Sequence, residues 1–231
     1  MFQKHKNLVI IISLAVIYFV SARLSVSLAF ENTNASPVWP PSGLAFAAVL
    51  IFGRKALWGV FIGALAVNFS TFSGNHPFSA NVLLCSILIG LGNTLEAYLG
   101  ERFYRSFSGE GSPLKTYQNY FKMLMVTFVA CLACAFIATG SMLLTNLISF
   151  DLAKTILVTW WIGDYVGVLI LSPLLLALAN SANYFDSKEN KLEYTISLVI
   201  VIGVSSILFS NISQGSILAE LSFILIPFLL W

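Results

Sequence analysis

Charge is scarce in this chain. Only 10% of its 231 residues are Asp, Glu, Lys or Arg, against about 25% in a soluble globular domain. With 58% hydrophobic residues and a mean hydropathy of +0.88, the apolar surface is too large for a water-soluble core. The sequence therefore reads as an integral membrane protein. A net charge of +2 is too small to argue for nucleic acid as a partner. Histidine and cysteine are nearly absent, with two and three residues. His5 lies in the basic N-terminal tail and His76 in a loop, and neither has a ligand partner at helical spacing. That excludes a zinc-type His pair. There is no Walker loop and no nucleophile elbow, and Gly90-Leu91-Gly92 is too short for a dinucleotide fingerprint. No catalytic residue, cofactor or metal is expected. Internal repeats are also missing. The polar loops 106–119 and 181–193 are too short to be domains, so residues 1–231 read as one membrane domain.

Cys85, Cys131 and Cys134 all lie in apolar runs. The Cys131-x-x-Cys134 spacing suggests a redox or metal pair, but no His is near, and small-residue packing is the reading adopted. The sequons at Asn34, Asn68 and Asn211 are read as chance.

Long apolar runs are what the chain does have. Candidate spans are 8–30, 42–53, 57–72, 81–104, 123–150, 155–179, 194–209 and 218–231, an all-α polytopic bundle of about eight helices by the twenty-residue criterion. Lys4 and Lys6 precede the first run, which exceeds a signal-peptide core and is read as an uncleaved span. Lys4, Lys6, Arg54, Lys55, Arg102, Arg105, Lys115, Lys122, Lys188 and Lys191 fall on one side of this arrangement, and only Lys154 falls in a loop on the other. The positive-inside rule then makes both ends cytoplasmic. The run 42–53 covers only about 18 Å as a helix. A re-entrant hairpin would strand Arg54 and Lys55 in the bilayer, so two short true spans are preferred. Pro40 and Pro41 suit a helix's first turn, with Trp39 as an interfacial aromatic. The run 218–231 stops without a polar tail, so a longer protein continuing into the cytoplasm is expected.

A few polar residues interrupt these runs. Asp164 is the only charge in 155–179, where a carboxylate costs about 2.5–3.5 kcal/mol to place in a bilayer. It lies near the midplane, about 15 Å from Lys154 along the helix. Glu96 repeats the pattern, deeper towards the cytoplasm, with Asn93 on its helix face. Arg23 lies in the outer half of the first span, and Asn68 and Glu220 near the outer face. Two readings stay open. One is a polar cavity for a ligand or signal, lined by Asp164, Glu96, Asn93, Asn68 and Arg23 with Trp160 and Trp161 as walls. In the other, Arg23 neutralises one acid and the asparagines bond neighbouring helices. Gly59-x-x-x-Gly63, Gly163-x-x-x-Gly167 and Ala130-x-x-x-Cys134-x-x-x-Ala138 allow close helix approach.

Five motifs occur in order. They are Val38-Trp39-Pro40-Pro41-Ser42-Gly43-Leu44-Ala45 leading to Phe52-Gly53-Arg54; Phe61-Ile62-Gly63-Ala64 with Asn68; Gly92-Asn93-Thr94-Leu95-Glu96-Ala97; Trp160-Trp161-Ile162-Gly163-Asp164-Tyr165-Val166-Gly167-Val168 with Pro173; and Pro227-Phe228-Leu229-Leu230-Trp231. Together they resemble the bacterial membrane-associated sensor domain of the first type, the MASE family, over nearly the whole chain. The resemblance implies an inner-membrane input module without catalysis of its own. It implies a cytoplasmic output such as a histidine kinase, diguanylate cyclase or cyclic-di-GMP phosphodiesterase, and a homodimeric full-length protein. It names no stimulus, small molecule or membrane protein. The competing class is a small secondary transporter or channel that uses Asp164 and Glu96 as an ion path, against which the missing inverted repeat counts.

Overall fold

The computed structural model describes residues 2–26, 38–75, 79–109 and 111–180. The chain divides into two compact units, Met1–Pro173 and Leu174–Trp231. Of the second, the described residues 174–180 are the last turns of a helix. The first unit carries α1 (Phe2–Val26), α2 (Pro40–Phe52), α3 (Ala56–Asn75), α4 (Ala80–Ser108), α5 (Tyr117–Leu144) and most of α6 (Phe150–Asn180), with a 3-10 turn at Pro113–Lys115. Every regular element among the described residues is helical. All but α2 are long and apolar enough to cross a membrane. The expected spans 194–209 and 218–231, with Glu220, lie outside the described residues, as does His76.

Local chemistry sets the helix ends where hydropathy alone misplaced them. The expected span 123–150 is α5, shifted towards the N-terminus. Thr116 caps it by accepting from the Asn119 amide at 3.2 Å, a bond that satisfies one orphan donor of the first turn. It ends at Leu144, followed by Asn146 at φ 57°, a left-handed position that Asn tolerates. Phe150 then opens α6 with Asp151 in the first turn, where a negative charge meets the positive end of the helix dipole. Ser79 caps α4 in the same way, accepting from Val82.

The second and third runs differ most from expectation. α3 has 20 residues and is long and apolar enough to cross a membrane. α2 has 13, about 20 Å, and its N-terminus abuts the middle of α6. The Trp39 amide donates to the Gly163 carbonyl at 2.9 Å, and the Ser172 hydroxyl donates to the Gly43 carbonyl at 2.9 Å. Trp39 is therefore not an interfacial aromatic; it sits against the centre of a long helix. α2 is a half-length helix, and the arrangement strands no cation, because its C-terminal end lies beside the charged ends of its neighbours. Lys55 donates to Asn7 at 2.9 Å, Arg54 pairs with Glu101, and Arg105 pairs with Glu101 at 2.6 Å.

Small residues permit these contacts. Cβ atoms added at Gly59 and Gly63 would approach the Ile11 and Ala15 carbonyls at 2.7 and 2.9 Å, so α1 and α3 pack backbone to backbone. A Cβ at Gly100 would lie 2.9 Å from the Phe46 ring. On the other side of α1, Leu8, Val9, Ile12, Val16, Ile17, Val20 and Leu24 stay exposed, as suits a lipid-facing stripe.

Candidate functional site

α2, α4, α5 and α6 meet at mid-height, and their polar side chains meet there too. Asp164 has no solvent exposure, and Glu96, Asn93, Ser42, Cys131 and Cys134 are all buried. The Ser42 hydroxyl, in the first turn of α2, donates to Asp164 Oδ1 at 3.1 Å. The Cys131 thiol faces Glu96 Oε1 at 3.6 Å, and the Cys134 thiol faces Asn93 Oδ1 at 3.8 Å. Both are weak sulfur hydrogen bonds. They form two rungs between α4 and α5, because Asn93 and Glu96 are three residues apart on one helix and the cysteines three apart on the other. The Asn93 amide group donates to the Ile89 carbonyl. Carboxylate oxygens of Glu96 and Asp164 and the Cys134 sulfur all lie within 4.8 Å of one another. Glu96 is thus level with Asp164 and not deeper, because α4 runs on to Ser108 and places Glu96 near its middle.

Four buried polar atoms here have no hydrogen-bond partner: Glu96 Oε2, Asp164 Oδ2, Tyr18 Oη and Trp39 Nε1. Tyr18, on α1, lies near both acids, with the Trp39 indole beside it. Leaving a buried polar atom unsatisfied costs about 1–3 kcal/mol. The positive end of the α2 dipole points at the acids and offsets part of that cost. Among the described residues no cation lies within ion-pair distance of either acid, since Arg54 and Arg105 are engaged by Glu101. Two uncompensated carboxylates in a dry interior would cost several kcal/mol each. A proton or a bound cation would offset that cost.

Those residues lie inside a single recognisable sequence pattern. The MASE1 family model matches residues 10–231. The chain belongs to the MASE1 family. MASE1 is a membrane sensory domain of signalling proteins, an input module rather than a catalytic one. No curated protein and no solved structure matches the chain.

Not every residue expected at the site of this MASE1 domain is there. Arg23 is exposed on α1 and pairs with neither acid. Asn68 is buried on α3 but donates to Ala64 of its own helix at 2.8 Å. Trp160 packs with Phe72, Ile89 and Met142 in one apolar cluster. Trp161 sits in another, where its indole donates to the Phe128 carbonyl at 3.0 Å and its ring meets Phe128 edge-on at 4.6 Å. Among the described residues, both tryptophans pack against apolar clusters. The space beside Glu96, lined by Phe46, Ala97, Thr127, Ala130, Cys131 and Val168, has no room for a water molecule. At Gly167 an added Cβ would strike the Trp39 carbonyl. Pro173 stands inside α6. Ser42, Tyr18, Cys131 and Cys134 were not anticipated at the site. Ser42 follows the Pro-Pro pair directly, and the cysteines sit at the same i,i+3 interval as Asn93 and Glu96; those were the available signals.

Proposed function

We propose that residues 1–231 are one membrane-embedded sensory input domain of a bacterial signal-transduction protein, lying in the inner membrane. The domain has about eight spans and both ends cytoplasmic. It relays an unidentified stimulus, a small molecule or a membrane protein, to a cytoplasmic histidine kinase or cyclic-di-GMP enzyme, in a homodimeric full-length protein. The observation that carries the sensing role is the pair Asp164 and Glu96, buried without a cation at the N-terminus of the half-length α2. A stimulus can shift a two-state bundle only by its differential affinity for the two states. A change in charge or pairing at this cluster would supply that difference, because Glu96 Oε2 and Asp164 Oδ2 are buried with no donor on them. Support for the orientation comes from basic residues. Lys55, Arg54, Arg105 and Lys122 are bonded to the N-terminal, α4 or α2 ends at one side of the bundle.

The alternative of a small transporter or channel draws on the same acids. The dry packing beside Glu96 counts against an open path through this part of the bundle. Replacing residues 1–231 of the full-length protein with an unrelated membrane anchor should abolish stimulus dependence while sparing output activity. Solute or proton flux through reconstituted wild-type protein, with output indifferent to the replacement, would establish the transporter instead. Cross-linking of the full-length receptor should trap a dimer, and a strictly monomeric receptor that signals normally refutes that part.

A further inference from the structure

We propose that Glu96, Asp164 and Cys134 form a binding site for one divalent transition-metal cation of the zinc class. This deepens the sensor reading and rests on it for its consequence in the cell, whereas binding itself is tested separately.

The donor set comes first. Two carboxylates and one cysteine sulfur, all buried, converge from three helices within 4.8 Å. The site is more than an acidic cluster. Glu96 Oε2 and Asp164 Oδ2 are each unpartnered and fully enclosed, on residues whose exposures are 5% and 0%. A shared proton or a cation would satisfy such oxygens, and the Cys134 sulfur beside them is the donor that favours a cation. A divalent ion offsets two of the three negative charges the loaded donors carry, where no described Arg or Lys pairs with either acid, and the positive end of the α2 dipole faces the remaining one.

The chemistry narrows the ion. A sulfur donor mixed with oxygens suits borderline ions such as Zn2+ and disfavours Mg2+ and Ca2+, which take oxygen alone. At a zinc ion with Zn–S of about 2.3 Å and Zn–O of about 2.0 Å in tetrahedral directions, donors stand about 3.5 Å apart, and these three side chains fill three of the four positions. The donors, all within 4.8 Å of one another, therefore close by at most about 1.3 Å on loading. Ser42 already holds Asp164 Oδ1 at 3.1 Å, and the Cys131 thiol lies 3.6 Å from Glu96 Oε1. They orient the carboxylates from outside, as partners behind metal ligands do. Loading releases the proton of the Cys134 thiol and any proton held between the acids to solvent, so binding weakens as pH falls. It also draws α4, α5 and α6 together at the start of α2.

The probe is Co2+ titrated into metal-stripped full-length protein in lipid nanodiscs. One Co2+ per site should bind and give a thiolate-to-cobalt charge-transfer band in the near ultraviolet. Cys134→Ser should remove the band and weaken binding at least about tenfold, while Cys85→Ser changes neither. Absence of the band in folded wild-type protein, or its survival in Cys134→Ser, overturns the proposal. X-ray absorption of the zinc-loaded wild type needs no variant. It should show one sulfur at about 2.3 Å among oxygens, and a shell without sulfur likewise overturns it. A failed binding result leaves the sensor reading standing, because that reading is judged by the receptor's output.

Discussion

Gly167 is where α2 is held against α6, and Gly167→Ala tests that seat. An added Cβ would strike the Trp39 carbonyl and come within 3.1 Å of the Pro40 nitrogen. Both are backbone, so no flexible side chain can yield. Restoring an ordinary separation of about 3.5 Å moves the start of α2 by more than about 1 Å. Such a shift breaks the 2.9 Å bond from the Trp39 amide to Gly163. Overpacking costs about 1–3 kcal/mol, and the lost bond adds about 0.5–1.5 kcal/mol. The expected loss is thus about 2–4 kcal/mol. The assay is SDS-titrated unfolding of purified protein in mixed micelles, followed by far-ultraviolet circular dichroism. Gly140→Ala is the control, since an added Cβ there meets nothing within 4 Å. It should be neutral or stabilising by up to about 1 kcal/mol, from the gain in helix propensity. If Gly167→Ala is as stable as Gly140→Ala, α2 is not seated on the middle of α6 and the proposed site is not assembled as described.

Three further outcomes are expected. Ser42→Ala removes the hydroxyl that donates to Asp164 Oδ1 and should cost about 1–3 kcal/mol in the same unfolding assay; an unchanged midpoint would mean that the Ser42 bond contributes nothing. Glu101→Gln removes both ion pairs of a carboxylate that is itself only 6% exposed, while the Arg54 and Arg105 side chains are 56% and 31% exposed. Its cost should therefore be about 1–3 kcal/mol, above that of a fully exposed pair, and shrink only partly in high salt; an unchanged midpoint would contradict that reading. Reporter fusions after Ser187 should read as cytoplasmic and those after Ser213 as external, and the reverse pattern defeats the proposed topology.

Much of the arrangement was legible in the sequence, for identifiable physical reasons. Apolar runs long enough to cross a bilayer fix where helices form, and the cost of a lone carboxylate singles out Asp164 and Glu96. Depth was harder to read. Glu96 looked deeper than Asp164 because hydropathy ended its span at residue 104, whereas the helix continues to Ser108. The half-length α2 was hidden because Pro40 and Pro41 mark a helix start without saying where in the bundle that start sits. Trp39 looked interfacial for the same reason. The glycine motif around Gly167 licensed close approach, but its partner, the Trp39 carbonyl, is over a hundred residues away in sequence. Arg23 matched an acid by charge and span, yet its helical phase turns it outward. The cysteines were read by residue type, as small packing groups, while their i,i+3 interval aligned them with Asn93 and Glu96 across a helix pair.

The central claim is that the buried acids at the start of α2 are the element through which the domain responds. It is tested most directly by Asp164→Asn in the full-length receptor, measuring output activity in membranes with and without the stimulus. The substitution is nearly isosteric, so the protein should insert and accumulate while its output is locked on or off and indifferent to the stimulus. Because Glu96 lies level with Asp164, Glu96→Gln should behave alike. A normal stimulus response in membranes carrying Asp164→Asn would contradict the account and reduce Asp164 to a packing residue.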